Sequence, residues 1–291
     1  MIHHDKEAVL LILVTGAKGF VGHTLMALLA DTMASVSLRG ATEEAIHRIV
    51  EESGADVIIH TAAISDIAKC EADVEASYNA NVLLPVYLAR AAQGRKLIVF
   101  SSDQVYSACV DPGPYTEDQA SPGNTYARHK LEMEQRVMDL FPEAIILRAE
   151  WMYDLYNLRK NYFMQVVEAD SVLTFSSHQY RGVTYVREVA EAMRKVIELP
   201  GGVYNFGSET TSSMYDITHS FLQYLGKHIE LKDGPFRHNL WMDCCKAKAY
   251  GVRFSEVSEG LIRCARDHGI SLPGLKETSR KIQAGETARQ D

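Results

Sequence analysis

Short apolar runs alternate with amphipathic stretches through the first half of the chain. Val9–Thr15, Ser35–Leu38, Val57–His60, Leu97–Ser101 and Ala144–Leu147 have the length and composition of buried strands. Between them Val21, Leu25, Leu28 and Leu29, and then Ala45, Ile46, Ile49 and Val50, recur at the spacing of helices with one apolar face. Strands alternating with helices predict βαβ units, a parallel sheet and right-handed crossovers. After about Arg148 the pattern loosens. Aromatic and polar residues dominate Trp151 to Tyr162, Pro200-Gly201-Gly202 is a break, and helices are predicted near Val186–Glu198 and Tyr215–Leu225. The second half therefore reads as a smaller lobe. Lys276 to Asp291 has almost no large apolar residue and is expected to be a mobile polar tail.

With 291 residues, 46 % of them hydrophobic and 23 % charged, the chain can fill one large α/β unit or two closely joined ones. Its formal charge of −8 argues against nucleic acid or an anionic membrane as the main partner, since both select a basic face. The five cysteines (Cys70, Cys109, Cys244, Cys245 and Cys264) are odd in number and form no CxxC pair, so neither a disulfide framework nor a thiolate metal site is expected. The eleven histidines follow no metal-binding spacing, and no metal is assigned. The apolar run Val9–Val14 is far too short to span a bilayer and has no signal cleavage region, which makes the cytoplasm the expected location.

Candidate chemistry begins directly after the first strand. Gly16-Ala-Lys-Gly19-Phe-Val-Gly22 leads into the first amphipathic helix. Glycines there permit a tight turn, let the backbone approach a pyrophosphate and let helix pack close to strand. The helix N-terminus then offers N–H groups and a positive dipole end to the anion. With the alternating pattern, this predicts an α/β fold of the Rossmann type, a doubly wound parallel sheet with a smaller C-terminal lobe. Residues 1–150 are the expected NAD(P)-binding domain. Residues 151–275 are mainly the substrate-binding lobe, with some chain returning to the sheet, and 276–291 are the tail. Gly16, Lys18, Gly19, Phe20, Val21 and Gly22 are the expected dinucleotide contacts. A ribose-binding acid should end the second strand, yet Leu38-Arg39-Gly40 stands there. Two cations, Arg39 and Lys18, with no carboxylate suit a 2′-phosphate, so NADPH is the expected cofactor and NAD the alternative.

Tyr126-Ala-Arg-His-Lys130 sets a phenol and an ammonium four residues apart on one helical face. Asn124 or Thr125 is a suitable N-cap, Ala127, Leu131, Met138 and Phe141 form an inward stripe, and Pro142 ends the helix. A phenol with a free pKa of about 10 is a poor acid–base group at neutral pH. A cation beside it is expected to stabilise the phenolate and bring it toward the working range.

In chain order, Gly16/Gly19/Gly22, the strand end His60-Thr61-Ala62-Ala63, Asn81, the strand end Ser101-Ser102 and Tyr126/Lys130 resemble the extended short-chain dehydrogenase/reductases, from about Val9 to about Phe254. Within that superfamily the chain most resembles the dTDP-4-dehydrorhamnose reductase branch. Asp56–Glu71 is similar to its "DVVINCAAYTxVDKCE", Ser101–Tyr106 to its "STDYVF" and Arg148–Tyr153 to its "RTxWxY". The resemblance implies Tyr126, Lys130 and Ser102 as the catalytic group, with Ser102 the hydroxyl partner of Tyr126. It also implies Thr61, Ala62, Ala63, Asn81 and Ser101 near the cofactor, and Asp103 and Trp151 near a sugar-nucleotide substrate. Members of the branch often form homodimers, although no segment of this sequence specifies an interface.

Several positions depart from the branch. Its "DG" after "YVF" is Ser107-Ala108 here, the glycine after "WxY" is Asp154, and the segment after the second strand is shorter. Asn81 lies four residues before Pro85, so its carbonyl loses a helical partner and is free for water or Lys130, or simply marks a kink. Arg181–Ala190 resembles the "RDYIHVxDLA" element of nucleotide-sugar epimerases, whose leading arginine binds the diphosphate, and Arg237–Lys246 resembles a second such element. Arginine's planar fork suits phosphate, which makes Arg181 and Arg237 candidate substrate ligands.

Three reactions fit these residues. A reductase would deliver hydride to a keto carbon while Tyr126 protonates the developing alkoxide. An epimerase would retain its cofactor, and a non-catalytic nucleotide-binding subunit would use the fold alone. Dehydratases of the superfamily need a glutamate after "TD", whereas Gln104 stands here and an amide cannot act as that base. The closest motifs and the intact Ser102, Tyr126 and Lys130 favour the reductase.

Overall fold

Alternate residues of a strand point to opposite faces of its sheet, and here both faces are apolar and covered. A computed structural model describes residues 10–155 and 161–270; Val9 and the expected tail lie outside the described residues. In chain order the first half runs β1 (Ile12–Thr15), α1 (Phe20–Leu28), β2 (Thr32–Ala34), α2 (Glu43–Ser53), β3 (Val57–His60), α3 (Ile67–Ala72), α4 (Val74–Tyr78), α5 (Leu84–Ala91), β4 (Lys96–Ser102), α6 (Thr125–Leu140) and β5 (Ile145–Ala149). The second half runs β6 (Trp151–Tyr153), α7 (Tyr162–Glu168), β7 (Leu173–Phe175), β8 (Gln179–Tyr180), β9 (Val183–Tyr185), α8 (Val186–Ile197), β10 (Gly202–Phe206), α9 (Met214–Tyr224), β11 (Leu231–Asp233), β12 (His238–Asn239), α10 (Cys245–Ala249) and α11 (Val257–Asp267).

Six parallel strands form the central sheet in the order β10-β5-β4-β3-β1-β2. Ile12, Val14, Val57, Ile59, Ile98, Phe100, Ile145 and Leu147 face one core with Leu25 of α1 and Val189 and Met193 of α8. The residues between them, Leu13, Ile58, Leu97, Val99 and Ile146, face the other with Ile46, Val86, Met133 and Val137. This is the doubly wound α/β arrangement expected from the sequence. The strand β10, directly after the Pro200-Gly201 break, pairs with β5 and returns the chain to the main sheet.

The second strand differs from expectation. It spans Thr32–Ala34 rather than Ser35–Leu38. Val36 is 66 % exposed, and Leu38 is buried not in a strand but against Ile46 and Val50 of α2. Arg39 therefore lies, exposed, in the turn before α2 instead of closing the strand.

The smaller lobe has its own core, in which Tyr153 stacks between Phe163 and Tyr185 at 5.6 and 5.9 Å, over Phe221, Val257 and Leu261. Three two-stranded parallel ladders, β6–β9, β7–β11 and β8–β12, hold its loops. No helix among the described residues is long and apolar enough to cross a membrane.

Candidate active site

The C-terminal ends of β1, β3 and β4 line one edge of the sheet, where ligands of open α/β sheets bind. At the first of these, Gly16 has φ +76°, and a Cβ there would sit 2.7 Å from the Ala62 backbone nitrogen. A Cβ on Gly22 would collide with the Gly16 carbonyl. Both positions therefore demand glycine. Gly19 is the N-cap of α1, and no described side chain closes that terminus, leaving its N–H groups turned to an incoming anion. Thr61 fixes the adjoining strand end by donating its hydroxyl to the Thr15 carbonyl at 2.8 Å. Ala62 and Ala63 follow it, and Lys18 is exposed. This cradle fits a dinucleotide pyrophosphate.

The helix α6 carries the expected acid–base pair. Asn124 Oδ1 accepts from the Ala127 N–H at 2.8 Å, and Asn124 is the N-cap. Tyr126 and Lys130 are buried. Lys130 Nζ lies 5.9 Å from the Tyr126 ring centroid and donates to the Phe100 carbonyl at 2.8 Å. Burial pushes the ammonium down to about 8, against an opposing pull from Glu134.

The expected acidified phenol is not found. Burial drives the Tyr126 phenol well above its ordinary value, with the Ser102 hydrogen bond opposing and Asp103 adding to the rise. Desolvation of a phenolate outweighs the nearby cation, whose ammonium is engaged by a backbone carbonyl. Ser102 also hydrogen-bonds Asp103 at 3.1 Å and accepts from the Gln104 N–H at 3.2 Å.

Ser101 turns elsewhere. Its hydroxyl donates to Glu134 at 2.5 Å, and Glu134 pairs with buried Arg148 at 2.6 Å. Arg148 continues to the Tyr106 hydroxyl at 2.7 Å, and Tyr106 to Asn205 at 2.6 Å. This network bolts α6 to β5 and β10 behind Lys130. Asn81 is likewise held structurally. Its side chain exchanges hydrogen bonds with the Ile64 backbone at 3.1 and 3.0 Å, and the helix passes Pro85 by a π-turn over Asn79–Leu83 in which the Leu84 N–H donates to the Asn79 carbonyl. The missing proline donor is thus absorbed by a change of helical pitch.

Beside this group a cleft of about 390 Å³ is lined by Ile67, Gln104, Ser107, Gly123, Asn124, Trp151, Gln179, Arg181, Phe236 and His238. A larger hollow at Asp56, Lys96, Glu143 and Gly201 lies at the opposite ends of the strands, away from this chemistry. Arg181 departs from expectation. It is 2 % exposed, pairs with Asp103 at 2.5 Å and lies 3.8 Å from the Trp151 ring centroid. It is therefore a neutralised wall residue rather than an open phosphate fork, although its Nε is buried without a partner among the described residues. Trp151 is half exposed over it, and Arg237 is exposed between the cleft residues Phe236 and His238. Gln104 accepts from Asn124 at 3.2 Å, and Ser107 accepts from the Gly123 N–H at 2.8 Å. Gln104 and Ser107 thus position the start of α6.

Sequence reasoning missed Glu150. Its carboxyl is wedged between Gly182 and Gly207, where any Cβ would strike it. It accepts from the Thr184 hydroxyl at 2.5 Å and the Ser208 N–H at 2.9 Å. Burial pushes it up to about 8, Thr184 opposing and nearby Asp103 adding to the rise. Glu150 occupies the unspecified position of "RTxWxY", so the motif gave no signal for it.

Residues 10–234 match the RmlD substrate binding domain family. The chain is 28 % identical over 224 residues to dTDP-4-dehydrorhamnose reductase of Aggregatibacter actinomycetemcomitans, covering 70 % of this chain and 76 % of that protein. It is 30 % identical over 252 residues to a probable low-salt glycan biosynthesis reductase of Haloferax volcanii, covering 83 % and 81 %. The fold is similar to the crystal structure of dTDP-4-dehydrorhamnose reductase from Bacillus anthracis in complex with NADP, with a TM-score of 0.78, 21 % identity and coverage of 89 % of this chain and 98 % of that one. By the extent of the family match, over a fold whose glycine cradle and Tyr126/Lys130 helix sit where the motifs placed them, the chain belongs to the RmlD substrate binding domain family.

Proposed function

We propose that the protein is an NADPH-dependent reductase of a nucleotide-linked 4-keto-6-deoxy sugar, of the dTDP-4-dehydrorhamnose type. The observation that carries this reading is the meeting of Ser102, Tyr126 and Lys130 beside a cleft at the carboxyl edge of the sheet. Family membership and the names of the relatives support it. Gly16, Gly19 and Gly22 would hold the pyrophosphate, with Lys18 and Arg39 on the 2′-phosphate side.

When bound, the reduced nicotinamide supplies the hydride. The chain supplies the rest. Ser102 hydrogen-bonds the substrate carbonyl oxygen and orients it toward Tyr126. The raised phenol is fully protonated at neutral pH, the form needed to donate to the oxygen as it becomes an alkoxide. Lys130 is the cation behind that transfer. Trp151 bounds the sugar side of the cleft, the buried Asp103–Arg181 pair stands behind it, and Arg237 reaches the outer, phosphate-bearing end. Gln104, with no basic atom and its oxygen used by Asn124, leaves dehydration without a base.

The test follows NADPH absorbance with a panel of nucleotide keto sugars. One NADPH consumed per 4-hydroxy sugar formed supports the reading. Interconversion of epimers with no net NADPH loss overturns it. NADPH should bind more tightly than NADH, and Arg39→Asp should narrow that difference.

A further inference from the structure

Asp154, one of the residues that departs from the branch, meets two side chains from the far end of the chain. Asp154 follows β6, Cys264 lies on the buried face of α11, and His268 is the C-cap of that helix. One carboxylate oxygen, the thiol sulfur and one imidazole nitrogen all lie within 4.8 Å of one another. His268 Nε2 and Asp154 Oδ1 are 2.5 Å apart. The sulfur is fully buried, whereas the histidine and aspartate side chains are 15 % and 19 % exposed and form the rim. The Leu155 N–H donates to Asp154 at 2.7 Å and also faces the sulfur. A backbone donor beside both groups is the kind of outer support that metal ligands receive.

We propose that Asp154, Cys264 and His268 form a site for a divalent transition metal of the zinc class, with water as the fourth ligand. Thiolate, imidazole and carboxylate are the donor types zinc accepts, whereas calcium and magnesium select oxygen alone. The i,i+4 spacing of Cys264 and His268 places both on one face of α11, as a shared ion requires. Bonds of about 2.0–2.3 Å in a tetrahedron set ligand atoms roughly 3–4 Å apart, so the His268 and Asp154 atoms, 2.5 Å apart, need to open while contacts near the 4.8 Å limit need to close by about an ångström. On binding, the ion sheds water, the Cys264 thiol releases its proton to solvent, and the Asp154–His268 hydrogen bond is replaced by two metal bonds, its proton passing to the other imidazole nitrogen or, from an imidazolium, to solvent. No electron is transferred. The ion would join α11 to the end of β6, the strand that begins at Trp151 in the cleft.

The experiment titrates the metal-free full chain with Zn²⁺ by calorimetry and with Co²⁺ by absorbance. The expected result is one ion per chain, tetrahedral cobalt bands with a thiolate charge-transfer band, and a Tm that rises with Zn²⁺. Cys264→Ser should abolish the charge-transfer band. His268→Gln and Asp154→Asn should each weaken binding by at least about tenfold, in the range seen when metal-site supports are lost. Melting without metal confirms that each variant is folded, and if Cys264→Ser is not, His268→Gln decides. Cys245→Ser and a chain lacking His3 and His4 should bind as wild type does. Absence of stoichiometric binding, or a signal lost with Cys245 or His3 and His4 instead, overturns the site.

Discussion

The Glu71 carboxylate takes both donors of Thr125 at once, the backbone N–H on Oε1 and the hydroxyl on Oε2, each at 2.7 Å. Thr125 is the first residue of α6 and the neighbour of Tyr126, so Glu71 fixes the phenol's helix from outside it. Glu71→Ala should lower turnover more than it raises the substrate KM, and Glu71→Gln, with one acceptor, should fall between. The Thr125 N–H and hydroxyl hold this carboxyl below its usual range. Its stabilising contact is complete above the unfolded carboxylate pKa and lost as pH falls through the lower, folded one. The Tm difference between wild type and Glu71→Ala should therefore be full at pH 7 and close below about pH 4. A gap that persists in acid would place the effect elsewhere.

Tyr126→Phe removes the proton donor while keeping the ring that packs beside Lys130. Turnover should fall by at least about a hundredfold, with NADPH affinity nearly unchanged. Single-turnover kinetics and a cofactor fluorescence titration measure the two separately. Near-normal turnover would remove the phenol from the chemistry.

Asp103 and Arg181 are unequal partners. Deleting the aspartate strands a buried guanidinium that cannot shed its proton, at a cost of about 3–5 kcal/mol. Deleting the arginine leaves a carboxyl that burial already pushes upward and that can stay protonated. Denaturant unfolding should therefore find Asp103→Ala less stable than Arg181→Ala, and the Arg181→Ala deficit should grow as pH rises. Equal losses at all pH values would contradict this asymmetry.

Glu150 is poised to titrate within the working range. Its folded pKa is raised to about 8, so the folded state holds a proton that the unfolded chain gives up near pH 4–5. Stability conferred by the neutral acid is present below that range and lost as pH climbs toward 8. Glu150→Gln keeps the acceptor for Thr184 and Ser208 without the titration. Its Tm should decline less than that of wild type between pH 5 and 8, and parallel curves would refute the assignment.

Strands β1, β3, β4 and β5 were legible because burial on both faces writes them as unbroken apolar runs. The second strand was misplaced because the apolar letters Val36 and Leu38 serve a turn and a helix packing site instead. Strands of two or three residues in the small lobe are too short to display a period. Tyr126 and Lys130 could be read from spacing, and Glu134, one turn beyond Lys130, could have been. Arg181 was recognised as a site residue, but its pairing with Asp103, 78 positions away, was invisible in the chain. The same holds for Glu150, whose environment is made by glycines from two later segments.

The return of β10 to the edge of β5 makes the two lobes inseparable by a single cut. A fragment ending near residue 150 would present β5 with a bare row of backbone donors and acceptors, a template for pairing between chains. Such a fragment should aggregate rather than bind dinucleotide. Grafting a new specificity lobe onto this chain accordingly requires insertion between β5 and α8 and again after β10, with the sixth strand left in place.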